Sequence, residues 1–135
     1  MVQPEMRVPV RCFKDLLVWQ RAMDLAVEAN RLSQPWPKSE LYGLTAQLKR
    51  SALSVPANIA EGHGREHLGD YLHHLSIASG SLMELETELL LAQRLGYLAA
   101  EDAEGVFKRV QEVGRMLAGL SRKLKRRPCS LTPHT

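Results

Sequence analysis

Glu84 and Glu88 stand one helical turn apart with Glu86 between them, a spacing that suits acid–base or metal chemistry. Helical bundles that hold two metal ions add Glu-x-x-His pairs on two helices and further glutamates. Here Asp70-x-x-His73 is the nearest approach, and no second segment supplies another. His63 and His67 have the four-residue spacing of zinc ligands on a helix, but Gly62 and Gly64 interrupt that turn and no third ligand follows. His73, His74 and His134 complete the set of five and read as polar surface residues. Cys12 and Cys129 lie near opposite ends, form no C-x-x-C pair and have no histidine partner in the sequence. The Gly62, Gly64, Gly69 spacing lacks the preceding strand that a phosphate-cradling loop requires. No catalytic residue, metal site or cofactor follows from these groups. Solvated helix faces account for the acids.

The cations are arranged more tellingly. Residues 1–107 carry 10 basic and 14 acidic side chains, whereas residues 108–135 carry 8 basic ones against Glu112 alone. Lys108, Arg115 and Arg122 recur every seven residues on one helical face, and Lys123, Lys125, Arg126 and Arg127 extend them. Such a row suits phosphate contacts, which give salt-dependent affinity with little sequence preference. Glu112 falls three or four residues from Lys108 and Arg115, so internal pairing is expected to neutralise part of the row. Aromatic residues make up 5% of the chain, too few for a base-stacking platform. The plainer reading is a solvated helix end, since cations near a helix C-terminus also favour its dipole.

These groups must be positioned by helices, because prolines and glycines divide the chain into four segments of helical periodicity. The first, about Lys14 to Ser33, shows two apolar series: Leu16, Trp19, Met23, Ala26, and Val18, Ala22, Leu25, Ala29, Leu32. One buried face needs only about three apolar positions in seven, so a surplus face is left for a partner, and the Val18 to Leu32 series is assigned to an oligomer interface. The second segment starts near a capping Ser39 and has the seam Leu41, Leu44, Leu48, Ala52, Val55, Ile59. Pro56 within it predicts a kink, and Gly62 and Gly64 are expected to end the helix in the left-handed conformation. The third runs from about Glu66 to Gly96 along Tyr71, Leu75, Ala78, Leu82, Leu85, Leu89, Ala92 and Gly96. Small residues in its middle, Gly80 and Ser81 among them, would admit a neighbouring backbone. The fourth, about Ala100 to Lys125, follows Ala103, Val106, Val110, Val113, Leu117, Leu120 and Leu124. Short links favour antiparallel neighbours, hence an all-α, up-down-up-down, left-handed four-helix bundle.

At 135 residues the chain fits one domain, able to bury about two-thirds of its unfolded surface without disulfide or metal. A flexible arm over 1–12, a bundle over 13–127 and a disordered tail over 128–135 are expected. Neither a signal peptide nor an apolar run of membrane-spanning length is visible, which predicts a cytoplasmic protein with no membrane partner.

The string Phe13-Lys-Asp-Leu-Leu-Val-Trp-Gln-Arg-Ala22 resembles the opening of the 23S rRNA intervening-sequence protein family, and two longer blocks agree with it. One is Glu40 to Arg50, continuing into Ser54-Val-Pro-Ala-Asn-Ile-Ala-Glu-Gly62. The other is Leu75 to Thr87, which contains Gly80, Ser81, Glu84 and Glu86. The resemblance implies a bundle that assembles as a ring, typically a pentamer, without known catalysis. Some members are encoded within inserts of large-subunit ribosomal RNA genes. More distant relatives are basic rings that serve diversity-generating retroelements and bind nucleic acid and a reverse transcriptase. The chain departs from the pattern at His67, where a serine is usual, which removes a good helix cap. In the family's most specific string, Asn58 and Glu61 have two readings, a bridge to another helix or subunit, or closure of the bundle end on loop backbone; Arg65 is read as an exposed cation. Two functions stay open: an RNA-associated, homo-oligomeric scaffold or binding module, and a protein–protein adaptor with no nucleic-acid role.

Overall fold

A computed structural model describes residues 12–126. The arm expected over 1–12, Cys12 excepted, lies outside the described residues, as do Arg127 and the tail. A 3-10 turn at Phe13–Asp15 leads into α1 (Leu17–Ser33), followed by α2 (Leu44–His63), α3 (Leu68–Arg94) and α4 (Ala100–Lys125). Among the described residues there is no strand. Each helix packs on its neighbours in sequence and α1 closes on α4, while the diagonal pairs make no close approach. The molecule is a four-helix bundle.

The seams read from α3 and α4 are the seams observed, except that Gly96, read as the last position of the α3 seam, lies past the end of that helix and is exposed. Leu75, Leu85 and Leu89 of α3 and Val106, Val113 and Leu117 of α4 are fully enclosed. Leu48, Val55 and Ile59 of α2 meet them, and α2 continues through buried Pro56 as one helix. Leu120 is partly buried against the core.

Helix α1 corrects the interface assignment. Val18, Ala22, Leu25, Ala29 and Leu32 are at most 5% exposed within the single chain. They are the bundle's own core, not a surface for a second copy. The outward large apolar side chains of α1 are instead Leu17, Met23 and Val27, the last 64% exposed. Two apolar stripes on one helix are equivalent to a periodicity argument, and only packing by α2 and α4 decides which turns inward.

The link between α1 and α2 also differs from expectation. Lys38–Glu40 forms a separate 3-10 turn, Leu41 is 49% exposed, and Ser39 caps nothing. The Glu40 carboxylate takes over that role: Oε1 accepts the Leu44 amide at 3.3 Å and Oε2 accepts the Tyr97 hydroxyl at 2.9 Å. A carboxylate at the first amides of a helix is favoured by the dipole and supplies a missing acceptor. It also joins the link before α2 to the link after α3, 57 residues away.

At the end of α3, Gly96 adopts φ +82°. Its amide bonds the Gln93 carbonyl at 3.1 Å, and the Tyr97 amide bonds Ala92 at 2.9 Å, a pair that satisfies two terminal carbonyls. The glycines after α2 behave otherwise. Gly64 caps α2 at φ −82°, and Gly62 is buried inside the helix. A methyl group on Gly62 would lie 2.8 Å from His74 Cβ and 3.1 Å from Tyr71 Cδ1. At Gly62, α2 and α3 leave no room for a side chain. Gly80 has nothing within 4 Å, so it admits no neighbouring backbone.

Candidate nucleic-acid interface

Helix α4 begins acidic, with Glu101 and Asp102 in its first turn, and ends with Arg122, Lys123 and Lys125 in its last. At about 3.6 residues per turn, Lys108, Arg115, Arg122 and Arg126 project opposite the seam of Val106, Val113 and Leu117. All four are exposed. The seven-residue step sets them about 10 Å apart along the axis.

Glu112 does not neutralise this row. It turns to α1 and pairs with Arg21 at 3.5 Å. Lys108 pairs with Glu104 at 3.8 Å, both side chains more than 70% exposed, a geometry worth little in water. Arg115, Arg122, Lys123, Lys125 and Arg126 have no acidic partner among the described residues. Arg109 is exposed and likewise unpaired; its neighbour Lys108 fits the seven-residue count and it does not, so spacing missed it. Arg65 belongs to the same end of the bundle but is held by Glu61 at 2.6 Å. It is a partnered cation, not a spare one.

The family string on α2 builds a polar seam with α3. Asn58 Nδ2 donates to the Ser54 carbonyl at 2.9 Å and to Ser54 Oγ at 3.0 Å. Asn58 Oδ1 lies 3.0 Å from His74 Nδ1, and His74 Nε2 lies 3.8 Å from Glu61. Ser54 meets Ser81 at 2.7 Å, and Ser51 donates to Glu88 Oε2 at 3.1 Å. Of the two readings of Asn58 and Glu61, the bridge to another helix is the observed one, and loop backbone is not their partner. The seam gives the α2–α3 pairing a polar register, since each of these groups would be left unpaired by a slip. His63 Nδ1 meets the Tyr71 hydroxyl at 3.3 Å across the same two helices.

Glu84 is exposed, as a solvated helix acid should be, and Glu86 is half-buried. The carboxylate that stands apart is Glu88. Partial burial, opposed by the Ser51 hydrogen bond and with Glu84 nearby, pushes its pKa up to about 7. Only the burial of its flanks by α2 reveals this, and spacing alone did not. No group of three or more His, Cys, Asp or Glu is placed to hold a metal among the described residues. None of the described helices is long and apolar enough to cross a membrane.

A second surface lies between α1 and α2. Met23, Ala26, Val27, Asn30, Leu53 and Pro56 line an open, largely apolar cleft of about 270 Å³. Leu53 is 65% exposed. Single exposed leucines are ordinary; here Leu53 adjoins the apolar side chains of Met23 and Val27.

Comparison with known proteins agrees with this architecture. A solved structure from Bacteroides thetaiotaomicron, a protein of unknown function from the S23 ribosomal protein family, superposes with a TM-score of 0.70 at 23% identity. The match covers 78% of this chain and 98% of that one, and at such identity it speaks for the fold alone. No curated protein matches. The sequence profile for 23S rRNA-intervening sequence proteins matches residues 14–119, and the chain belongs to that family.

Proposed function

We propose that the protein is a non-enzymatic, self-associating bundle that holds the sugar–phosphate backbone of nucleic acid, RNA first of all, along the outward face of α4. The observation that carries this reading is the row Lys108, Arg115 and Arg122 with its extension to Arg126, set opposite the buried seam and left almost wholly without acidic partners. No aromatic side chain is interleaved with these cations, so the mode is backbone contact and not base stacking. Self-association uses the Met23, Val27 and Leu53 cleft, and the family resemblance suggests a ring, with the interior of a cell as its setting. The same cleft favours one other reading, an adaptor whose apolar surface takes a different protein and whose basic end is only solvated.

Fluorescence anisotropy with labelled RNA at several salt concentrations tests the first reading. The double substitution Arg115→Glu, Arg122→Glu is expected to weaken binding at least tenfold and to lower the slope of log K against log salt by about 2. Absence of binding by the unaltered protein even at low salt would sink it. Self-association is read separately by light scattering: Leu53→Glu should reduce the mass of the particle, and a monomeric unaltered protein at micromolar concentration would refute that part.

A further inference from the structure

At the pole opposite the α4 cations, the link between α1 and α2 covers a cavity of about 120 Å³. Its wall includes Ser33, Trp36, Lys38, Thr45 and Lys49. Trp36 and Thr45 are 6% and 4% exposed, and their Nε1 and Oγ1 atoms are buried without a hydrogen-bond partner. An indole N–H can only donate, and an enclosed donor without a partner loses its hydrogen bond to water with nothing in return. Among the described residues one other buried side-chain atom, Glu88 Oε1, lacks a partner, so two beside one cavity are a concentration of them. Neither lysine has an acidic partner among the described residues. No acid lines the cavity, and Glu40, in the same link, is engaged by the Leu44 amide and the Tyr97 hydroxyl. Thr45 stands in the first turn of α2, where the helix dipole adds positive potential.

We propose that this cavity binds a phosphoryl group, with Lys38 and Lys49 supplying the charge and Trp36 and Thr45 the enclosed donors. A phosphoryl dianion offers only acceptor oxygens and needs two cations for neutrality, which is what the wall presents. A volume of about 120 Å³ has room for the phosphoryl group, and the open side of the cavity leaves a base and sugar outside. The ligand is therefore inorganic phosphate or a terminal phosphomonoester whose remainder stays outside. This site is independent of the backbone reading at the other pole.

Nitrogen–proton NMR with inorganic phosphate as the probe tests it, because the chain has 2 tryptophans and each gives a separate indole signal. Phosphate at millimolar concentration should shift the Trp36 indole saturably and leave Trp19 in place, at constant ionic strength against chloride. Lys38→Ala with Lys49→Ala should weaken the effect at least tenfold. Thr45→Val, which keeps the shape and removes the hydroxyl, should weaken it about tenfold. Circular dichroism on both variants controls for folding. A 5′-phosphorylated oligonucleotide that reproduces the Trp36 shift, where its 5′-hydroxyl counterpart does not, identifies a nucleic-acid end as the source. A response to inorganic phosphate alone identifies the free ion. No shift at Trp36, equal shifts at both indoles, or a response unchanged in the double variant would overturn the proposal and leave water as the partner of the enclosed donors.

Discussion

Gly62→Val should cost about 3 kcal/mol of unfolding free energy, read by urea titration. The first atom added, Cβ, lies 2.8 Å from His74 Cβ, a backbone-anchored atom that no rotamer change can move away. Relief therefore requires α2 and α3 to separate, at a cost of about 1–3 kcal/mol for overpacking. Separation also stretches the Asn58–His74 bond, 3.0 Å long, and adds part of the penalty of an unpaired buried polar group. Gly80→Ala is the matched control. A methyl there meets nothing within 4 Å, so the gain in helix propensity, up to about 1 kcal/mol, should appear undiminished. Equal losses at both glycines would show that helix glycines matter here for some reason other than the close approach.

The unaltered protein should lose about 2 kcal/mol of stability between pH 5 and pH 8 through Glu88, and Glu88→Gln should abolish that loss. Burial raises this carboxyl from 4.5 to about 7 in the folded chain. The folded state therefore holds the proton where the unfolded state has released it. The stabilisation is complete below about pH 4.5, declines as pH rises, and is gone above about 7. With complete burial a move of that size would be worth about 3.4 kcal/mol, but the side chain is only partly buried and solvent screening reduces it to about 2 kcal/mol. Ser51 Oγ donates to Oε2 at 3.1 Å while Oε1 is enclosed without a partner, so the neutral acid or the amide suits the pocket better than the anion. Arg50 eases the charged form and Glu84 opposes it. Glu88→Gln should match the unaltered protein near pH 5 and exceed it above pH 7 in urea titrations. Parallel pH profiles for the two proteins would exclude Glu88 as the source.

The long seams of α3 and α4 were legible because unbroken four-three spacing admits one inward face. Helix α1 was half legible: its two apolar stripes were visible, but Val18, Ala22, Leu25, Ala29 and Leu32 were assigned outward when packing places them inside. Periodicity fixes an angle between stripes and carries no information on which one meets the neighbours. Residues Lys38–Leu41 were misread for another reason. The contact that organises them joins Glu40 to Tyr97, and no local rule reaches that far along a chain. Gly62 was read as a terminator when its value is steric, again a matter of what another helix brings near. Of the candidate site, the α4 row was visible as spacing, while the diversion of Glu112 to Arg21 needed three dimensions. The Trp36 and Thr45 donors were invisible, since a polar atom without a partner has no sequence signature.

The Glu40–Tyr97 bond and the alternation of helix directions have a consequence for how the chain can be cut and rejoined. An even number of antiparallel crossings returns the chain to the side from which it started, so residues 12 and 126 leave at the pole of the α2–α3 turn, on helices that are packed neighbours. Joining those two ends and opening the α2–α3 turn would give a circular permutant that leaves the Glu40–Tyr97 bond whole. Opening the α3–α4 link would sever the chain beside that bond and leave Tyr97 near a new terminus. The four connections of such a closed bundle are thus not interchangeable, and the one that the fold can best do without is the α2–α3 turn.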